Sequence, residues 1–258
     1  MQNRDVKESQ IDFRQEQFKA SVEASLSEIR SLIPAGKSII VQYTETPTGS
    51  GRYGRLKVGL EDADTAVIKI YLPEEIEEIE RAEKQILFIV RHEACHSFSG
   101  FFDEFRGQLS DDEIRASLKN KDGNNIVVET GQTEVIVDLT ALFLGNSDQN
   151  SRQRLLESYV DTVDVYLLIP DTFLRDDIRF IEILKFIEKT WPQEADTRRI
   201  IEKLDGRINS KFSEMSKGEK SIIEKYQNFI KNIIAHFKDS FLDSTQIADF
   251  IKSQSSYL

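Results

Sequence analysis

The chain has 258 residues, enough for one large domain or two small ones around a real apolar core. Its 45 acidic against 34 basic residues give a formal net charge of −11, and no basic patch overrides it, so neither nucleic acid nor a membrane is expected as a partner. Cys95 is the only cysteine, which rules out an intrachain disulfide. The opening MQNRDVKESQIDFRQ lacks the apolar run of a secretion signal, and no segment approaches the roughly 18 apolar residues of a span, so a soluble cytoplasmic protein is expected.

From Ile11 the apolar residues Phe18, Val22, Leu26, Ile29 and Ile33 recur at helical spacing, predicting an amphipathic helix over 1–35 that ends at Pro34 and Gly36. Three strand-like runs follow: SIIVQYTE, GRLKVGLE and TAVIKIYL. The first two are separated by TPTGSGRYG, whose glycines and proline suit a long hairpin loop. That loop also satisfies GxGxxG over Gly49–Gly54, but a strand-like run follows it where a dinucleotide site would need a helix. Lys69 completes a mimicry of the kinase glycine loop and strand lysine, yet the chain contains neither HRDxxxxN nor DFG, so phosphoryl transfer is excluded.

A helix is predicted from about Glu74 through His96, acidic at its start and apolar across ILFIV. Ser110 with Glu113 forms a capping box for a short helix to about Lys119, broken by NKDGNN. Another helix is expected over Gln132–Phe143, stopping at Gly145. The last hundred residues read as helical, with stripes at Ile178, Ile181, Leu184 and Ile187, at Ile201, Leu204, Ile208, Phe212 and Met215, and at Ile223, Tyr226, Ile230, Ile233 and Phe237.

The chemistry concentrates in RHEACHSF. His92 and His96 stand four apart on one helix, so their imidazoles point to one side and can share an ion, while Glu93 is rotated only a little from them. Two nitrogens to hold a metal and a carboxylate to take a proton from water are the parts of a zinc hydrolase. A third protein ligand is still needed. The metzincin extension fails, because Ser99 and Phe102 stand where glycine and a third histidine belong. A deformylase-type cysteine ligand fails as well, since Cys95 lies inside the motif, at a position that suits a small buried hydrophobe. What remains is a carboxylate: Glu134, followed four residues on by Asp138 in TEVIVD, with Glu104 and Glu129 as alternatives.

On His92, Glu93, His96, Glu134 and Asp138 the sequence resembles the gluzincin zinc metallopeptidases, in which HExxH is completed by the glutamate of ExxxD on a later helix. The resemblance spans roughly residues 36–146. It implies that His92, His96 and Glu134 bind Zn2+, that Glu93 is the general base, and that Asp138 orients a ligand imidazole. It also implies that TAVIKIYL borders the substrate cleft. The family's oxyanion-stabilising Tyr or His has no recognisable motif here, and Tyr159, Tyr166 and His236 are the candidates.

The expected architecture is α+β: an N-terminal helix over 1–35, a zincin-like catalytic core over 36–149 with a small sheet and an active-site helix, and an all-helical region over 150–258. The expected activity is peptide-bond hydrolysis, and the expected partners are a peptide or protein substrate and a protein bound by the helical region. That region is expected to govern access to the site without supplying ligands. The rival reading is an inactive zincin-like interaction protein.

Overall fold

A computed structural model of the chain describes residues 2–30, 38–45, 58–60, 65–72, 75–96, 117–119, 125–127, 131–144, 148–170 and 172–240. The described elements are mainly helical, with a small mixed sheet and a short hairpin, an α+β composition. They fall into two compact units, one running through His96 and the other from Ser117 to Ser240.

In the first unit, α1 (Gln2–Arg30) and α2 (Ile76–His96) pack on a sheet of β1 (Ser38–Glu45), β2 (Val58–Leu60) and β3 (Thr65–Leu72). The helical stripe read from sequence is the one that is buried: Phe18, Val22, Leu26 and Ile29 are at most 2 % exposed. They meet Ile39, Ile68 and Ile70 from the sheet and Ile79, Ala82, Ile86, Val90 and Ala94 from one face of α2 in a single apolar core. Ile33 and Pro34 lie outside the described residues.

The sheet order is β1-β3-β2. β1 runs parallel to β3 from Ser38↔Thr65 to Glu45↔Leu72, and β2 pairs antiparallel with β3 from Val58↔Ile68 to Leu60↔Ala66. This corrects the expected hairpin between the first two strands, which are not neighbours because β3 lies between them. β3 takes the centre because both its faces are apolar enough to be covered, with Val67, Ile68 and Ile70 all buried. A strand paired on both sides offers no free edge over Ala66–Ile68, so TAVIKIYL does not border a cleft as an edge strand there.

The second unit begins with a hairpin of β4 (Ser117–Lys119) and β5 (Asn125–Val127), paired Ser117↔Val127 to Lys119↔Asn125. Residues 117–119 were expected to end a helix. They form a strand instead, in keeping with NKDGNN as a hairpin signal in the sequence between runs that hold Leu118 and Ile126. Ser110 and Glu113 lie outside the described residues.

Five helices follow among the described residues: α3 (Gly131–Leu144), α4 (Gln149–Tyr166), α5 (Leu174–Thr190), α6 (Arg198–Ser213) and α7 (Lys217–Ser240). α3 packs against α4, α5 and α7. Val135, Val137, Leu139, Ala141, Leu142 and Phe143 are all buried, so α3 is covered on every side along most of its length. Phe143 extends this packing through an aromatic cluster with Phe186 and Trp191, their ring centroids 5.5–6.1 Å apart. α4 is tied to the α5–α6 connection by Arg152 on Glu194 and to α6 by Arg199 and Lys203 on Asp164. The carboxylate of Asp177 is fully buried and accepts from Tyr166 (2.9 Å), Thr172 (3.1 Å) and Lys211 (2.5 Å), pinning the α4–α5 connection against α6.

Among the described residues, no helix is long and apolar enough to cross a membrane.

Candidate metal centre

α2 delivers His92-Glu93-Ala94-Cys95-His96 as its last turn and a half, so the motif is helical as its spacing requires. Ala94 points into the apolar core of the first unit and is fully buried. Positions 92 and 96 are each two residues from it, roughly 200° around the helix, and so stand on the side away from that core. His92 and Glu93 are half-buried, and the ring of Phe88, one turn earlier, lies 5.7 Å from the imidazole of His92. Cys95 is 1 % exposed, the small buried hydrophobe expected of its position. The side chain of His96 lies outside the described residues, as does that of His236 on α7.

Glu134 and Asp138 occur in the second unit, on successive turns of α3 and on one face of it. Their environments differ. Glu134 sits in the first turn with a side chain 39 % exposed, whereas that of Asp138, one turn deeper in a helix covered on every side, is 2 % exposed. A charge so placed must be paired. Arg179 of α5 supplies the pairing: its Nη1 lies 3.2 Å from Oε2 of Glu134 and 3.4 Å from Oδ2 of Asp138. The Tyr159 hydroxyl, from α4, donates to the same Oδ2 at 3.4 Å.

The electrostatics follow from this packing. Burial pulls the Arg179 guanidinium toward its neutral form, but the carboxylates of Asp138, Asp176 and Glu134 together outweigh it and hold its pKa above the usual arginine value. Burial, reinforced by the charge of Asp138, pushes the Tyr159 phenol well above the ordinary tyrosine range. Asp176 is raised by burial against the opposing pull of Arg179 and Arg175.

The oxyanion candidates divide. Tyr159 is fully buried with its hydroxyl on Asp138, and Tyr166 donates to Asp177. Sequence reasoning read Tyr226 of α7 only as part of an apolar stripe. It is 2 % exposed, and its hydroxyl has no hydrogen-bond partner among the described residues. Burial raises its pKa, with the charges of Arg179, Asp176, Arg175 and Glu134 as smaller influences. Arg179 was missed as well. The available signal was in RFIEILKFI, where Phe180, Ile183 and Phe186 put apolar residues outside the main stripe and mark a helix whose charges must find partners.

The donor set suits zinc in character. Imidazole nitrogens with one carboxylate are a catalytic zinc ligand set; within its own unit His92 is half-buried, and within the other Glu134 is 39 % exposed while Asp138 is 2 % exposed. No group of three His, Cys, Asp or Glu side chains suited to a metal occurs among the described residues, which do not include the imidazole of His96. Glu104 and Glu129, the alternative carboxylates, are also outside them. Comparison of the chain with protein-family models, with curated proteins and with solved structures gave no match.

Proposed function

We propose that the chain is a zinc-dependent metallopeptidase of the gluzincin type, with a zincin-like core. The observation that carries this reading is that α2 turns Ala94 into the apolar core and positions 92 and 96 away from it, leaving His92 and Glu93 half-buried.

In this reading His92, His96 and Glu134 hold the metal. Zinc, when bound, lowers the pKa of a water to about 7 and polarises the scissile carbonyl. Glu93 accepts the proton that the water loses and passes it to the leaving amine, a task for which a carboxylate near both groups is suited. Asp138, buried and paired, keeps the supporting framework fixed. The substrate is a peptide or an extended protein segment. A cytoplasmic setting agrees with Cys95 as the sole cysteine.

Metal analysis of the purified full chain, with hydrolysis of a peptide library, tests the proposal. We expect one zinc per chain, sharply reduced in Glu134→Ala, and turnover reduced at least about 10²-fold in Glu93→Gln with zinc retained. Zinc retained in Glu134→Ala but lost in Glu104→Ala or Glu129→Ala would move the third ligand. Full activity of Glu93→Gln would remove the mechanism.

One observation favours a second reading, an inactive zincin-like protein that binds a partner. Leu168 and Phe173, on the α4–α5 connection, are 70 % and 51 % exposed, with Ile169 beside them at 37 %. Zinc bound by wild-type chain that cleaves no peptide in the library would favour it.

A further inference from the structure

We propose that Arg179 is a positioning residue of the candidate zinc site, a bridge from α5 that uses the buried Asp138 as an anchor to hold the Glu134 carboxylate ready for the metal. This rests on the zinc reading above and adds to it a control of the ligand arm by the helical unit.

The argument starts with α3. Two carboxylates four residues apart on one helix face repel each other, so Glu134 left to itself would swing away from Asp138 toward water. Arg179 reverses this. One nitrogen, Nη1, stands between the two carboxylates at 3.2 and 3.4 Å, so the same charge attracts both. An arginine that only neutralises a carboxylate commonly presents two parallel N–H groups to it. Here one nitrogen is shared, and the buried Nε has no hydrogen-bond partner among the described residues. The geometry is that of a bridge.

The bridge is also fixed at its base. The guanidinium carbon lies 4.4 Å from the centroid of the Phe180 ring, and the side chain is only 11 % exposed. Asp138 is held in turn by the Tyr159 hydroxyl. The immobile part of the cluster is therefore Tyr159–Asp138–Arg179, and the part that reaches solvent is Glu134, the residue assigned to the metal. Restricting a ligand before the ion arrives strengthens binding, and groups that orient ligands this way affect metal affinity by about 10–100-fold.

The test measures zinc affinity of the full chain by competition with a chromogenic chelator and records the visible spectrum of the cobalt-substituted protein. If Arg179→Met folds, we expect its zinc Kd to weaken by about 10–100-fold and its cobalt spectrum to change, because the ligand geometry changes. A structural role alone would lower the melting temperature and leave the affinity and spectrum of the folded protein as in wild type, and that result overturns the proposal. If Arg179→Met does not fold, Arg179→Lys decides. It keeps the charge but not the planar reach, so a weakened Kd with an altered spectrum supports the bridge, and wild-type values for both overturn it. Wild-type chain that binds no zinc overturns the zinc reading and this proposal together, whereas tight zinc binding indifferent to Arg179 overturns this proposal alone.

Discussion

Replacing Asp177 with Asn should destabilise the helical unit by about 2–3 kcal/mol, and the origin of that figure lies in three donors and a nearby guanidinium. The carboxylate is fully buried, and Tyr166, Thr172 and Lys211 donate to it, with Arg207 3.6 Å away. Tyr166 and Thr172 use one oxygen and Lys211 the other. An amide must therefore turn its NH2 either toward the two hydroxyls, which then have to accept where they now donate, or toward the ammonium, where donor meets donor. Removing one partner of a buried ion pair costs about 3–5 kcal/mol. The side chains of Lys211 and Arg207 are 26 % and 18 % exposed, so water recovers part of this, which gives the lower figure. For a unit of this size it corresponds to a fall in Tm of roughly 4–12 °C. Thermal melts at pH 7 followed by circular dichroism give the number, and Lys211→Met with the double variant completes a cycle. Because Lys211 is the closest partner, the double variant should be less destabilised than the sum of the singles by at least about 0.5 kcal/mol. A fall below about 2 °C, or strict additivity, would refute this account of the buried carboxylate.

A chain ending at Gln149 should not yield a folded α3, because the partners α3 packs against are α4, α5 and α7 and their loss exposes Val135, Val137, Leu139 and Phe143; a soluble truncation with protected α3 amides would contradict this. Asp148→Ala should lower the Tm at pH 7, since Asp148 caps α4 by accepting from the Ser151 amide at 2.9 Å. The Ser151 hydrogen bonds hold the Asp148 carboxyl below its ordinary pKa, so its contribution is present above the unfolded value of about 3.9 and is lost as pH falls through the folded one. The difference in Tm from wild type should therefore be constant near neutrality and shrink in acid, and a difference unchanged well below pH 4 would refute the cap.

Much of this fold was legible because its signals are local. The strands 38–45 and 65–72 and the buried faces of α1, α5 and α7 follow from spacing alone, since each repeats over several turns or pleats. Pairing was not legible: which strand lies between which depends on the covering of both faces of β3, a tertiary property. At 117–119 the reading of a helix end gave way to a strand paired with 125–127, a partner that the helical signal upstream does not reveal. At the candidate site, HExxH and ExxxD could be read as spacings on helices. The pairing of Arg179 could not, because its partner Glu134 is 45 residues earlier and no motif links them. The helical region also supplies the side chains of Tyr159 and Arg179 that hold Asp138, contacts no spacing in the sequence announced.

The complete covering of α3 has a consequence for hydrogen exchange. A helix whose sides all face neighbouring helices cannot shed its amide protons by local fraying, except at its ends, because each opening must first displace α4, α5 or α7. Amides from about Val137 to Leu142 should then exchange only through cooperative unfolding of the whole helical unit, at the slowest rates in the protein. Glu134, in the first turn, lies at the boundary between that slow block and solvent. A metal bound there would register as slowed exchange of the first-turn amides, while those deeper in α3 would slow only as far as the unit as a whole is stabilised.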